Sequence, residues 1–174
     1  MSQRISLREF QKNLSARLGS AQRGESARAL LAVESGRGEQ SRWLLDLADS
    51  GEVAPLSGLT PVPLTKSWFA GIANIRGTLY SVVDFSAFRG GELTPQNTEA
   101  RLLLIGAKHG SNSALLVNRT LGLRPPESLT RAEAVADGAV PWQGRHYTDA
   151  SGIEWTRLRI QALLSDPLFL NVAA

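Results

Sequence analysis

Trp68-Phe69-Ala70-Gly71-Ile72-Ala73-Asn74-Ile75-Arg76-Gly77-Thr78-Leu79-Tyr80-Ser81-Val82-Val83-Asp84-Phe85-Ser86-Ala87-Phe88-Arg89-Gly90-Gly91 reads as a β-hairpin that runs into a helical turn. Gly71 permits a close backbone approach or a positive φ, and Ile72-Ala73-Asn74-Ile75 then alternates as a strand. Asn74-Ile75-Arg76-Gly77 has turn chemistry, because Asn and Gly tolerate left-handed backbone and Arg is the exposed donor. Thr78 to Phe85 is the returning strand. It closes on Asp84, an acceptor suited to capping the turn expected at Ser86–Phe88. From these residues alone the plainer reading is a tight β-turn with an incidental arginine.

The same short-strand pattern continues on both sides. Leu30–Val33 and Trp43–Leu47 flank the glycine-bearing loop Ser35–Gln40, which predicts a second hairpin. Further strands are expected at Val53–Leu56, Leu102–Ile105, Ala114–Val117, Arg145–Thr148 and Ile153–Leu158. Turn signals separate them at Asp49-Ser50-Gly51, Arg89-Gly90-Gly91, His109-Gly110-Ser111-Asn112 and Ala150-Ser151-Gly152. Many short strands so spaced point to sandwiches or barrels rather than βαβ units. About nine or ten strands over ~145 residues exceed one five-stranded barrel, so two small barrels side by side are expected. Thr94–Glu99 is read as the stretch between the two halves. Helix is expected at Ile160–Leu164, ended before Asp166-Pro167, and over residues 128–140, where Ala132, Ala134, Val135 and Ala136 cluster.

Charge divides the chain in two. Of 19 Lys and Arg and 16 Asp and Glu, residues 1–28 hold six basic and two acidic groups, a net of +4. Residues 29–174 hold the other thirteen basic and fourteen acidic groups, a net of −1. Residues 1–28 therefore read as a basic arm before a nearly neutral domain at 29–174. Leu7, Phe10, Leu14 and Leu18 line one face of an expected helix, Ser6 and Glu9 fit a capping box, and Gly19 stands where a helix ends. Such a basic amphipathic helix can contact a membrane surface, or dock its leucines on its own domain.

Several chemistries fall away. The chain has no cysteine and only His109 and His146, so thiolate, disulfide and multi-histidine metal sites are not expected. No Walker loop, G-x-G-x-x-G, H-E-x-x-H or G-x-S-x-G is present, so no cofactor and no catalytic residues are expected. His109 reads as a solvent-facing loop residue and His146 as a structural strand residue. Asp46 and Asp49 are close in sequence, but a paired-carboxylate site needs more than that. Trp43, Trp68, Trp142 and Trp155 read as core or interface anchors rather than a stacking platform. The near-neutral domain, with scattered arginines, argues against nucleic acid. No apolar run approaches the ~20 residues that span a bilayer, and the first residues lack a signal-peptide core, so a cytoplasmic protein is expected.

The segment quoted first closely resembles the signature of the CheW-like family of chemotaxis coupling proteins. Gly71, Ile72, Asn74, Ile75, Arg76, Gly77, Val82 and Asp84 match it, with Phe85 in the place of Leu. Leu59-Thr60-Pro61-Val62-Pro63 resembles the approach to that signature. Ala100–Ile105 with Ser113–Gly122 resembles the hairpin that opens the second half, and Trp155–Leu164 resembles the closing strand and helix. The resemblance covers most of residues 30–164. It implies a mainly β fold of two five-stranded, SH3-like barrels sharing a core, with short helices. It also implies a non-enzymatic adaptor that joins methyl-accepting chemoreceptors to a CheA-type histidine kinase. Partner contacts are implied at Ile72, Asn74, Ile75, Arg76, Gly77 and Asp84, with Asn74, Arg76 and Gly77 facing the receptor. Apolar strand edges would meet the kinase, and the membrane would be reached only through the receptor.

Three positions depart from the family pattern. Pro55 occupies the place where a Glu commonly follows the second strand, Ser81 replaces a Pro, and Asn118 replaces an Asp. If that Glu orients the signature arginine, Arg76 is expected to engage a different geometry. The Trp68-x-x-Gly71 form, the basic extension and the Pro-Leu-Phe-Leu tail resemble the PilI-type branch, which serves type IV pilus twitching motility. Two alternatives remain open at this level. One is a divergent CheW-like adaptor held at the membrane by its arm; the other is a barrel that binds single-stranded nucleic acid.

Overall fold

The computed structural model describes residues 29–132 and 140–174, so the expected N-terminal helix and arm lie outside the described residues. In chain order the strands are β1 (Leu30–Glu34), β2 (Arg42–Asp46), β3 (Ser50–Pro55), β4 (Phe69–Ile75), β5 (Thr78–Asp84) and β6 (Arg101–Ile105). There follow β7 (Ser113–Val117), β8 (Arg119–Arg124), β9 (Leu129–Arg131), β10 (Gln143–Asp149) and β11 (Glu154–Leu158). Among the described residues there are also three short α-helices, α1 (Phe85–Phe88), α2 (Ile160–Leu164) and α3 (Pro167–Leu170), and three single 3-10 turns at Glu39–Ser41, Ala107–His109 and Pro126–Ser128.

These strands form a six-stranded sheet, β8-β1-β2-β11-β10-β9, and a five-stranded sheet, β3-β6-β7-β5-β4. The chain begins in the first sheet, builds the whole of the second with β3 to β7, and returns to the first with β8. This corrects the expected boundary at Thr94–Glu99, because β5 and β6 on either side of that stretch share one sheet. Asn97 shapes it instead: its Oδ1 accepts from the amides of Glu99 and Ala100, both at 3.0 Å, and so launches β6. One real handover is at Asn118. Its amide donates to the Glu34 carbonyl (2.9 Å) and its Oδ1 accepts from the Gly36 amide (2.8 Å), which ties β8 to the β1–β2 loop.

Two strands were not expected. β8 reads Arg-Thr-Leu-Gly-Leu-Arg, with Gly122 inside it and two prolines just beyond, and it pairs with β1 across a bulge at Ala32/Val33. β9 replaces the start of the helix expected over residues 128–140, because Leu129, Thr130 and Arg131 pair with Asp149, Thr148 and Tyr147. Alanine content favoured helix there, and ladder pairing to β10 overrides that weak preference. Residues 133–139 of the same segment lie outside the described residues.

Why are runs such as Leu30–Val33, Leu102–Ile105 and Ala114–Val117 continuously apolar, when a half-exposed strand would alternate? Both faces of these strands are buried. Leu31, Val33, Trp43, Leu103 and Leu115 enter a central core between the sheets. The alternate residues Leu30, Ala32 and Leu44 join Trp155 in a core inside the six-stranded sheet. Ala73, Val82, Leu102 and Leu116 form the counterpart inside the five-stranded sheet. Each fully buried leucine stabilises the fold by about 1.5–3 kcal/mol relative to exposure. Among the described residues neither sheet closes into a ring, but each wraps its own core. The fold is mainly β, with two SH3-like subdomains joined by a third, shared core.

The signature hairpin is fixed at both ends. Ile72 exchanges two backbone hydrogen bonds with Thr60 (2.8 and 2.9 Å), which covers that part of the β4 edge. Gly71, at φ 124°, lies so near the Thr60 carbonyl that a Cβ would collide with it. At the far end, Trp43, Phe85 and Trp142 pack ring to ring at 5.1 to 6.0 Å and hold α1 on the central core.

Candidate functional site

The hairpin tip is a two-residue loop, Arg76-Gly77, between the paired residues Ile75 and Thr78. Arg76 has φ 50° and Gly77 φ 86°, the two positive values that a type I′ turn needs. The Asn74 Oδ1 accepts from the Gly77 amide at 2.8 Å and holds the loop shut. Glycine takes the second position without strain. Arginine in the first costs roughly 1–2 kcal/mol, a penalty that such turns normally avoid by using Asn or Gly. The gain is a rigidly displayed guanidinium.

That guanidinium has a partner. Arg76 Nη1 donates to Glu52 Oε2 (3.1 Å) and Nη2 to Glu52 Oε1 (2.8 Å), a side-by-side fork. Glu52 lies on β3, at the opposite edge of the sheet from β4, so the pair bridges the sheet's two edges. This corrects the expectation drawn from Pro55: the acid is present, three residues earlier on the same strand. Its side chain is 37% exposed and that of Arg76 79% exposed. Exposed pairs contribute about 0–1 kcal/mol, so the fork orients the arginine far more than it stabilises the fold.

The other expected contact residues divide. Asn74 is exposed on the outer face of β4, opposite the exposed Leu79 of β5, and Ile72 on that face is half-buried. Ile75 packs against the core inside the five-stranded sheet. Asp84 does something else. It is 2% exposed, and its carboxylate accepts from the amides of Ser86 (3.1 Å), Ala87 (3.2 Å) and Thr94 (2.7 Å) and from the Thr94 hydroxyl (2.9 Å). Asp84 therefore caps α1 and ties down the 90–94 loop, with no oxygen turned to a partner.

Sequence reasoning missed Glu52 and Leu79. Glu52 precedes the apolar residues that signal its strand, which begin at Val53, and only the sheet's wrap brings it to Arg76. Leu79 is legible in retrospect, as the residue two places after Gly77 on the hairpin's outward face.

A cleft of about 810 Å³ opens between the subdomains, on the side of α2. Asp46 and Asp49 both line it, but each faces a cation: Arg157 meets Asp46 (2.5 Å), and Lys108 (2.5 Å) and His109 (3.1 Å) meet Asp49. His109 was expected in solvent; its side chain is 5% exposed, turned in by that carboxylate. Among the described residues no cluster of three His, Asp or Glu suits a metal ion, and no helix is long and apolar enough to cross a membrane.

The CheW-like domain family matches residues 31–165. The chain belongs to this family. Over 63 residues it is 36% identical to PilI of Pseudomonas aeruginosa, a stretch covering 36% of this chain and 35% of PilI. The match thus spans about a third of that relative's length. The scaffolding protein TtCheW of Thermoanaerobacter tengcongensis superposes with a TM-score of 0.61 over 76% of this chain and 89% of its own, at 17% identity. At that identity the likeness shows the CheW fold: two sheets, two SH3-like subdomains and few helices.

Proposed function

We propose that this chain is a non-enzymatic adaptor that couples a methyl-accepting chemoreceptor to a CheA-type histidine kinase. Its place is on the cytoplasmic side of a pathway controlling type IV pilus twitching. Membership of the CheW-like family supports the adaptor role, and the PilI match supports the pilus pathway. The observation that carries the site is the Glu52–Arg76 fork. It spends two of the five guanidinium donors on orientation and leaves the others to solvent, a geometry suited to directional bonds with a partner. Asn74, Gly77 and the half-buried Ile72 surround it on the same hairpin. Kinase reconstituted with receptor and this chain tests the reading. Arg76→Ala should abolish receptor control of phosphorylation while the melting temperature stays within a degree or two. Undiminished control in that variant removes Arg76 from the contact.

A further inference from the structure

We propose that the apolar stripe of residues 7–18 seats on the domain itself, on the exposed leucines that α3 and the 62–66 segment bring together. The inference stands apart from the adaptor reading.

Among the described residues seven large apolar side chains are exposed, and three of them belong to one place. Leu168 and Leu170, each 65% exposed, lie on α3, and Leu64, 87% exposed, is tied to the four residues that follow α3. The Lys66 amide donates to the Val172 carbonyl (2.9 Å), the Ala174 amide donates to the Leu64 carbonyl (3.0 Å), and Thr65 pairs with Ala173. The other four stand singly: Leu79 on β5, Leu93 in the 90–94 loop, Leu123 on β8 and Val140 before β10. Single exposed apolar residues are ordinary, whereas a group of them marks a contact surface.

The group is rigidly presented. Phe169, between Leu168 and Leu170, is buried and meets Phe88 edge-on at 5.5 Å, so α3 keeps its two leucines outward. Leu64 has φ 57°, a left-handed backbone that a bulky residue rarely takes. The Ala174 bond holds it there, with the bond from the Thr65 hydroxyl to the Val62 carbonyl (2.7 Å). Strain that the surroundings enforce is a feature of contact sites.

The chain supplies an occupant. Leu7, Phe10, Leu14 and Leu18 recur at helical intervals and lie outside the described residues. Four large apolar side chains need a seat of several, which a lone Leu79 or Leu123 does not offer. Reach permits the contact, since the described residues begin at Ala29 and residues 19–28, fully extended, span about 33–36 Å. A domain of this size has a radius of gyration of about 15 Å, so that tether crosses its width. At helical spacing Arg8 and Lys12 fall on the side away from the seat, in water, and docking buries neither charge.

The chain has no cysteine, so one introduced thiol carries a nitroxide at a single place. With the label on Ala16→Cys, opposite the stripe, the amides of Leu64, Leu168 and Leu170 should lose most of their NMR peak intensity relative to the reduced label. Leu14→Ser with Leu18→Ser should restore all three. Leu168→Ser with Leu170→Ser should restore Leu64, and the dispersion of the same spectrum reports that each variant is folded. An isotope-labelled chain without nitroxide, mixed with the nitroxide-bearing chain, should stay sharp. Undiminished peaks at the three amides, a loss centred on Leu123, or a loss that survives both serine pairs overturns the proposal. Equal loss in the mixed sample does so too, since it gives the seat to the arm of a second copy. Cosedimentation with phosphatidylglycerol vesicles that requires Leu14 and Leu18, while the three amides stay sharp, also overturns it and gives the stripe to a membrane.

Discussion

Arg76 and Glu52, twenty-four residues apart, meet through bonds of 3.1 and 2.8 Å and join the hairpin tip to the opposite edge of its sheet. Because both side chains are substantially solvated, the pair's value lies in direction. A double-mutant cycle on Arg76→Ala and Glu52→Ala, read by urea denaturation, should give a coupling of about 0.2–1 kcal/mol. The exchanged pair, Glu52→Arg with Arg76→Glu, should recover that stability and yet fail to restore receptor control of the kinase. A coupling above about 2 kcal/mol would instead mark the fork as a structural clasp.

Asp84 matches the family signature as faithfully as Arg76 but serves the interior. Its carboxylate satisfies three amides and a hydroxyl around α1 and Thr94. Asp84→Ala leaves those donors buried and unpaired, and should cost roughly 2–4 kcal/mol in urea unfolding. Asp84→Asn keeps one acceptor oxygen and should fall between the two. A loss under 1 kcal/mol for the alanine variant would show that the loop re-solvates freely.

How far the fold was legible follows from where the signals lie. The hairpin Gly71–Asp84 announces itself because each special backbone position carries the residue it needs: Gly71 at a close approach, Asn74 and Gly77 in the turn, Asp84 at the cap. Strands buried on both faces are also legible, as unbroken apolar runs. What sequence does not carry is distance across the sheet. Glu52 and Arg76 become neighbours only because the sheet wraps its own core, and His109 turns inward only because the Asp49 turn lies under it. Nor does it carry the order of strands. Parallel pairing of β5 with β7 kept Thr94–Glu99 inside one sheet, where spacing alone placed a boundary.

Arg89, just past α1, bolts one subdomain to the other. Its guanidinium donates to the Ser35 carbonyl (2.7 Å) and the Gln40 carbonyl (3.3 Å) of the β1–β2 loop. It also lies over the rings of Trp43 and Phe85, at 4.6 and 5.2 Å. Burial lowers its pKa from the usual arginine value. Arg89→Ala should destabilise by about 2–3 kcal/mol, from lost carbonyl bonds and lost stacking together. Arg89→Lys should recover less than half, since an ammonium has neither the fork nor the plane. Full recovery by lysine in a urea titration would reduce the bolt to simple charge.

Asp149 gives the fold a defined acid response. Burial pushes its carboxyl up, but the Trp155 indole, the Ile153 and Ser151 amides and the nearby Arg124 outweigh that effect and hold its pKa below the usual value. The Trp155 bond is 3.0 Å long and orients an indole buried in the core of the six-stranded sheet. A carboxylate whose folded pKa is depressed contributes stability that is complete above its unfolded pKa, near 3.9, and is lost as pH falls through the lower folded value. Asp149→Asn should therefore melt about 2–4 °C below the parent at pH 7 and at pH 5. The gap should narrow below pH 4 and close in stronger acid, where the parent's own carboxyl is protonated. A gap that persists unchanged at pH 2 would show that the neutral carboxyl holds Trp155 as well as the charged one does.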